Sequence, residues 1–233
     1  MKTGLARFLQ KYFYLSMGLL IAVVVAYGFG QTIDHNLLHA SPVPPFILTI
    51  HAIVFPGWVL FFILQSTLVR TRNVRIHRTL GWFGVALAVT MLVVGFLTAR
   101  GMDRFILQQS PLAPMAAFMI IQLMGLLGFA VAFTPAILLR RKPEFHRRLM
   151  LIASAALTDA AWARFPHSSL VLAECGVSLL VVLGIGRDVI VDSRVHTVYR
   201  YALPLLIAAQ TLELYTYNHA SPWWLRIAHV LLR

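Results

Sequence analysis

The chain has 233 residues, of which 59% are hydrophobic and 12% are charged, and its formal net charge is +12. Soluble domains carry roughly 25% charged residues, so this composition excludes an ordinary soluble fold. The basic residues lie in short segments between apolar runs, where they suit lipid head groups and membrane topology better than nucleic acid. We therefore expect an integral membrane protein that does not bind nucleic acid.

Successive apolar segments have the length that a membrane-spanning helix requires. Such a helix needs about 20 mostly apolar residues to cross about 30 Å of hydrocarbon. The predicted spans cover residues 12–30, 46–69, 80–99, 115–139, 149–164, 168–186 and 198–217, and residues 221–233 are predicted to form a helix at the membrane interface. The sequence thus predicts one all-α domain over residues 1–233, a polytopic seven-helix membrane bundle.

Lysine and arginine are distributed unequally between the two sides of this predicted bundle. About fifteen fall on the side of the N-terminus, beginning with Lys2, Arg7 and Lys11, and about five fall on the other side. Since loops rich in lysine and arginine stay in the cytoplasm, we expect a cytoplasmic N-terminus and an external C-terminus.

A histidine–arginine pair occurs twice at the start of an apolar segment. His77 follows one basic turn and His146 follows another, which predicts an internal repeat of helical hairpins, spans two–three and four–five. The repeat puts both imidazoles at one depth on different helices, as axial ligation of haem b requires. The two histidines are therefore candidates to bind haem or a quinone head group. In the alternative interpretation they only start helices, and four neighbouring arginines bind lipid head groups: Arg70, Arg78, Arg147 and Arg148.

Ionisable residues inside the predicted spans form a second candidate site. His51 lies in span two, and the acids within spans are Asp159, Glu174 and Glu213. Together with Arg164 they fall in the outer half of the membrane, where an isolated charge costs about 2.5–3.5 kcal/mol. We expect them to converge on an outer polar pocket that exchanges protons or holds a quinone, with His51 as a further haem or quinone contact. A structural salt bridge between Arg164 and Glu174 is the alternative.

Other membrane and catalytic classes lack their motifs in this sequence. Lysine occurs only at Lys2, Lys11 and Lys142, so no span offers a lysine for retinal. The sequence has no phosphate-binding glycine loop, no nucleophile elbow and no HExxH zinc motif, and no metal site is predicted.

Several of these residues form a pattern that resembles a family of bacterial integral membrane proteins of unknown function, over about residues 46–164. The matching positions are His51, Gln65, Arg70, His77, Arg78, Gly81, His146, Arg147, Met150 and Arg164. The chain departs from the family in its bulky Val54, Phe55 and Trp58. Its layout is more distantly similar to cytochrome b561-like and haem A synthase-like proteins. The resemblance implies a multi-pass protein of the bacterial cytoplasmic membrane with a link to haem.

The functional expectation is a membrane protein that takes part in redox chemistry or binds quinone, with haem b as the expected cofactor. It would serve as an accessory subunit of an electron-transfer or photosynthetic complex. Its partners would be the lipid bilayer, a quinone, and a larger complex or a second copy of the chain. Two alternatives stay open: a structural or assembly subunit without a cofactor, and a small proton-linked transporter. The sequence does not decide whether the protein is an enzyme.

Overall fold

The computed structural model of the protein describes residues 3–112 and 114–233, so Lys2, one of the basic residues used for orientation, lies outside the described residues. Within these ranges all regular secondary structure is helical, which confirms the predicted all-α class. The helices are α1 (Gly4–Gly30), α2 (Ile47–Arg70), α3 (Val74–Gln109), α4 (Met115–Leu138), α5 (Pro143–Ala156), α6 (Asp159–Trp162), α7 (Leu170–Asp192), α8 (Thr197–Asn218) and α9 (Pro222–Leu231), with a π-helical turn at Asp34–Leu38.

Five helices in the described part of the chain are long and apolar enough to cross a membrane, namely α1, α2, α3, α4 and α7. The coarser prediction of a polytopic helical membrane protein is thereby confirmed. α5 has 14 residues and rises only about 21 Å, less than the hydrocarbon thickness. α8 has 22 residues but carries Arg200, Gln210 and Glu213, and it is not one of the five.

Local sequence explains where several helices begin. The hydroxyls of Thr3 and Ser169 each accept a first-turn backbone N–H at 3.2 Å, at the starts of α1 and α7. Such caps satisfy donors that a helix leaves unpaired at its N-terminus. Pro143 and Pro222 open α5 and α9, where the missing N–H of proline is no loss.

Two predicted loops prove to be helical. Residues 100–104 belong to α3, which continues to Gln109, because their charges have partners: Gln122 Nε2 donates to Asp103 Oδ1 at 3.0 Å, and Arg100 Nε donates to the Leu231 carbonyl at 2.7 Å. Asp188 and Asp192, also predicted in a loop, form the last turns of α7. The predictions were wrong because they assumed that a charged residue ends a membrane helix. Here the charged residues have partners on other helices, and the helices continue through them.

The predicted fifth span, residues 149–164, is not one helix. α5 starts earlier, at Pro143, and the helix is interrupted at Leu157 and Thr158 before the single turn of α6. The Thr158 hydroxyl donates to the Ala155 carbonyl at 2.7 Å. This local bond offers the backbone an alternative to the helical pattern, as threonine commonly does.

α1 to α5 pack in cyclic order around the main core. Each packs against the next, and α1 also packs against α5. Trp58 lies in this core with its ring centroid 5.1 Å from Phe129 and 5.7 Å from Phe133, and its Nε1 donates to Ser154 Oγ at 3.2 Å. α7 packs against α1 and α5, and α8 packs against α4 and α7.

The bundle has two distinct ends. We call the end with the α2–α3 and α4–α5 turns the basic end, because those turns hold the arginines between residues 70 and 78 and between 140 and 148. At the far end, Gly28 in the last turn of α1 lies against the backbone carbonyl of Ala161. α9 also lies there: buried Trp224 donates from Nε1 to the Ala116 carbonyl at 2.9 Å. The helix predicted at residues 221–233 is therefore docked onto α4.

Candidate functional site

The two imidazoles of the predicted repeat lie side by side at the basic end. His77 is in the first turn of α3 and His146 in the first turn of α5, and their ring centroids are 6.3 Å apart at an interplanar angle of 79°. His146 Nδ1 donates to the Ala136 carbonyl at 2.8 Å, so its Nε2 is the nitrogen left to accept from a ligand. His77 Nδ1 is buried without a hydrogen-bond partner among the described residues.

Gln65 lies at the same depth as these histidines. The bond between Trp58 and Ser154 sets the register of α2 against α5, which run in opposite directions. Gln65 follows Trp58 by seven residues, and Arg147 precedes Ser154 by seven. Gln65 and Arg147 therefore both lie about 10.5 Å nearer the basic end than the Trp58–Ser154 bond. Gln65 is only 9% exposed, and neither its amide oxygen nor its nitrogen has a partner within residues 3–112 and 114–233.

Two tyrosines of α1 hold the adjacent arginines. The Arg70 guanidinium lies over Tyr12 at 4.7 Å from the ring centroid, and that of Arg147 lies over Tyr14 at 5.4 Å. The Nε atoms of both arginines and the Tyr14 hydroxyl are buried and unpartnered in the part of the chain that the structure describes. We call the six residues gathered here the histidine site: Tyr14, Gln65, Arg70, His77, His146 and Arg147.

The chemistry of the histidine site favours an oxygen-rich ligand. A buried polar group without a partner costs about 1–3 kcal/mol, and helices α1, α2, α3 and α5 contribute such groups here. Most carry N–H or O–H donors, and two arginines add positive charge. The site therefore suits carbonyl or anionic oxygens. Arg70 and Arg147 are half-buried, while Arg78 is exposed at the same end, where a head group can reach it.

Arg148 lies in a buried ion-pair network that sequence reasoning missed. Its Nε and Nη2 donate to the two carboxylate oxygens of Asp188 at 2.8 and 2.6 Å, and Arg187 Nη1 donates to Asp188 Oδ1 at 2.9 Å. Arg148 is 1% exposed and Asp188 is 0% exposed, so Arg148 does not face lipid head groups as predicted. The i, i+4 spacing of Asp188 and Asp192 would have pointed to this network if α7 had been extended past residue 186.

Two titratable groups flank the Arg148 network outside the apolar spans. Burial tends to raise the pKa of Glu144, but the hydrogen bond from Arg148 and the charges of Arg147, Arg148 and Arg187 outweigh it and hold that pKa below its usual value. Burial and the charge of Arg148 lower the pKa of His196, whose backbone N–H donates to Asp188 Oδ2 at 3.3 Å. Glu144 is thus a carboxylate and His196 a neutral imidazole at pH 7.

Three acids meet between α6, α7 and α8, towards the far end. Glu174 and Glu213 are close enough to act electrostatically on each other, and Asp159 is close enough to act on both. Gln210 Nε2 donates to the Glu174 carbonyl at 3.1 Å and accepts at Oε1 from Ser178 at 2.8 Å. We call Asp159, Glu174 and Glu213 the acid cluster; the structure thus brings together the three acids of the predicted outer pocket.

Arg164 and His51 lie at the far end near the acid cluster. Arg164 donates from Nε to Thr32 Oγ1 at 3.1 Å and from Nη1 to the Ala160 carbonyl at 2.5 Å, rather than to Glu174 as the salt-bridge alternative required. His51 stacks on Phe55 with ring centroids 3.9 Å apart. It precedes Gln65 by 14 residues on α2, about 21 Å, so it cannot share a head group with the histidine site.

Similarity to known proteins gives no functional assignment. Comparison with known protein families, with curated proteins and with solved structures finds no match for this chain. The geometry of the histidine site and of the acid cluster therefore carries the functional argument.

Proposed function

We propose that this protein is a multi-pass membrane protein that binds a quinone head group at the histidine site and takes part in membrane redox chemistry. One observation carries the proposal: the ring centroids of His77 and His146 lie 6.3 Å apart, at the end of the bundle where Gln65, Arg70 and Arg147 have buried donors without partners among the described residues. A quinone ring offers carbonyl oxygens to such donors. Preorganised donors and positive charge also stabilise the negative charge that develops when the ring is reduced.

Proton supply is the second argument for a quinone. Reduction of a quinone to a quinol takes up two electrons and two protons. The exposed residues of the α2–α3 turn put the histidine site next to water at the basic end, and this water would supply the protons. The electrons would come from a partner electron-transfer complex, in which this chain would be an accessory subunit.

Haem b is the second candidate ligand of the same histidine pair. A bis-histidine haem takes its two imidazoles from different helices at one depth, and the rings of His77 and His146, on α3 and α5, meet this condition with centroids 6.3 Å apart. The bond from His146 Nδ1 to the Ala136 carbonyl resembles the outer contact that orients metal-bound histidines. His77 and His146 would hold the haem, which would supply one-electron transfer.

We further propose seven crossings of a bacterial cytoplasmic membrane, with the N-terminus in the cytoplasm. α5 alone is too short to cross, but α5 and α6 together run from Pro143 at the basic end to Trp162 at the far end, where Ala161 lies beside Gly28 of α1. α8 begins at the basic end, where the His196 backbone binds Asp188, and leads to α9 at the far end. The hairpins α2–α3 and α4–α5 would be the two copies of the internal repeat.

Quinone titration of the purified protein in lipid nanodiscs tests the proposed function. A short-chain quinone should quench tryptophan fluorescence in a saturable way, and Gln65→Leu and His77→Leu should each weaken binding about 3–10-fold because a buried hydrogen bond is lost. His35→Leu, at an exposed position, is the control and should bind like the unaltered protein. A reduced-minus-oxidised spectrum with an α-band would assign haem instead.

Absence of both saturable quenching and a haem spectrum would refute the redox proposal. The transporter alternative would then be favoured, because the acid cluster brings three carboxyl groups together and two of them, Glu174 and Glu213, are buried.

A further inference from the structure

An apolar groove runs between α3 and α4 on the outer surface of the bundle. Its volume is about 220 Å³. Ala88 and Phe133, both buried, form its floor, and the exposed side chains of Val89 and Leu138 form its rim. Small residues usually let membrane helices pack closely. Here Ala88 and Ala130 instead leave a hollow that opens towards lipid.

The groove leads to the histidine site. Ile137 lines the groove, and the preceding residue, Ala136, binds His146 through its carbonyl. Phe133 separates the groove from the core, since its ring also lies 5.7 Å from that of Trp58. From Ile137 to Ala130 the groove extends about 10 Å along α4, away from the basic end.

The membrane boundary is marked at the same end of the groove. Trp82 on α3 is exposed, and the Arg140 guanidinium after α4 lies over its ring at 5.5 Å from the centroid. Tryptophan and arginine commonly occupy this depth, where hydrocarbon meets head groups. A ligand whose tail lies in the groove would therefore have its polar part at the level of the histidine site.

We propose that the groove between α3 and α4 holds the prenyl tail of the ligand whose head group binds the histidine site, and that this ligand reaches the site sideways from the bilayer. This inference rests on the proposed function. The tail moves into the groove from lipid that is equally apolar, so its binding gains no hydrophobic free energy. The groove acts by orientation: it holds the tail in the pose that presents the ring to His77 and His146.

Two quinones with the same ring, one without a tail and one with a long prenyl tail, test the proposal in nanodiscs of one phospholipid. Ala130→Leu fills the groove and should weaken binding of the tailed quinone about tenfold, because it removes the preorganised pose. Binding of the ring-only quinone should not change. Val131→Leu, on the exposed side of the same helix, is the matched control and should affect neither ligand. Gln65→Leu should weaken both.

The outcomes separate this proposal from the proposed function. Suppose that Gln65→Leu weakens binding of both quinones but Ala130→Leu changes the binding of both to the same extent. The groove is then occupied by ordinary bilayer lipid, and the tail proposal is overturned while head-group binding stands. If the unaltered protein binds neither quinone, both proposals fail. Thr134→Phe narrows the groove from its exposed rim and gives the same test if Ala130→Leu disturbs the fold.

Discussion

Buried polar groups of this protein have hydrogen-bond partners in one cluster and lack them, among the described residues, in another. Arg148 and Asp188 share two hydrogen bonds in a site that is almost fully buried. In the histidine site, by contrast, Gln65, Arg70 and His77 keep polar atoms without partners in the described ranges. A buried charge needs its partner, because removing one member of a buried ion pair is strongly destabilising. Buried polar atoms without partners are rare and call for an explanation such as a ligand or water. The contrast indicates a structural role for the first cluster and supports the proposal of a ligand at the second.

Removing one partner of the Arg148–Asp188 pair should be more harmful than removing both. Asp188→Asn leaves the buried guanidinium of Arg148 without its carboxylate partner at residue 188 and should lower the free energy of unfolding by roughly 3–5 kcal/mol. The double variant Arg148→Met with Asp188→Leu leaves no unpaired charge and should cost less. Thermal unfolding in detergent, followed by circular dichroism, measures both, with Asp34→Asn at an exposed position as control. A double variant less stable than Asp188→Asn would contradict this account.

Glu144 should make stability depend on pH in a defined direction. Its pKa is lowered in the folded protein, so its stabilisation is complete above the unfolded value of about 4.3 and is lost as pH falls through the folded value. Glu144→Gln should therefore be less stable than the unaltered protein at pH 7 and equally stable in strong acid. Because the side chain is 54% exposed, we expect a difference below about 1 kcal/mol. A difference that grows on acidification would rule this out.

Helix packing at the far end depends on one close approach. A Cβ atom added to Gly28 would lie 2.2 Å from the Ala161 carbonyl oxygen, so α1 and α6 can touch there only because residue 28 has no side chain. The contact holds α6 beside α1 and thereby places Asp159 and Arg164, which flank it in sequence. The position of the acid cluster thus depends on a glycine in another helix.

Gly28→Ala should destabilise the protein, whereas Gly30→Ala should not. The first change forces the α1 and α6 backbones apart, at a cost of about 1–3 kcal/mol. The second, in the same helix, meets no atom of the described residues within 4 Å and should be neutral or stabilising by up to about 1 kcal/mol, since alanine favours helix. Melting temperatures of the two variants in one detergent make the comparison. Equal melting temperatures would show that the close contact is not rigid.

The bundle separates its two polar sites along its length. The histidine site lies at the basic end, and the acid cluster lies towards the far end, with the Trp58 core between them. Each site draws on several helices that are distant in sequence. With the proposed seven crossings, the two sites would face opposite sides of the membrane.

Reporter fusions decide this arrangement. Seven crossings with a cytoplasmic N-terminus place fusions after Arg72 and Ser193 inside, and fusions after Leu112, Ser168 and Arg233 outside. The sites lie in turns or at the end of the chain, so a fusion there does not interrupt a membrane helix. An inside signal at Ser168 would mean that α5 and α6 do not cross. An inside signal at Arg233 would remove the crossing by α8.

Much of this architecture follows from local pattern. The lengths of the apolar runs predict α2, α4 and α8 to within one residue at each end, because a hydrocarbon layer selects length and apolarity along the chain. The repeated histidine–arginine pair likewise predicts His77 and His146 at one depth, and in the structure their ring centroids are 6.3 Å apart.

Contacts between side chains on different helices cannot be predicted from local sequence pattern in the same way. Gln65 joins the histidine site only because the Trp58–Ser154 bond sets the register of α2 and α5, and Arg148 leaves the lipid surface only because Asp188, 40 residues away, reaches it. The extensions of α3 and α7 have the same cause, since their charges are stabilised by groups on other helices. Burial of a charge depends on what packs against it in space, and that information is absent from the spacing of residues along one helix.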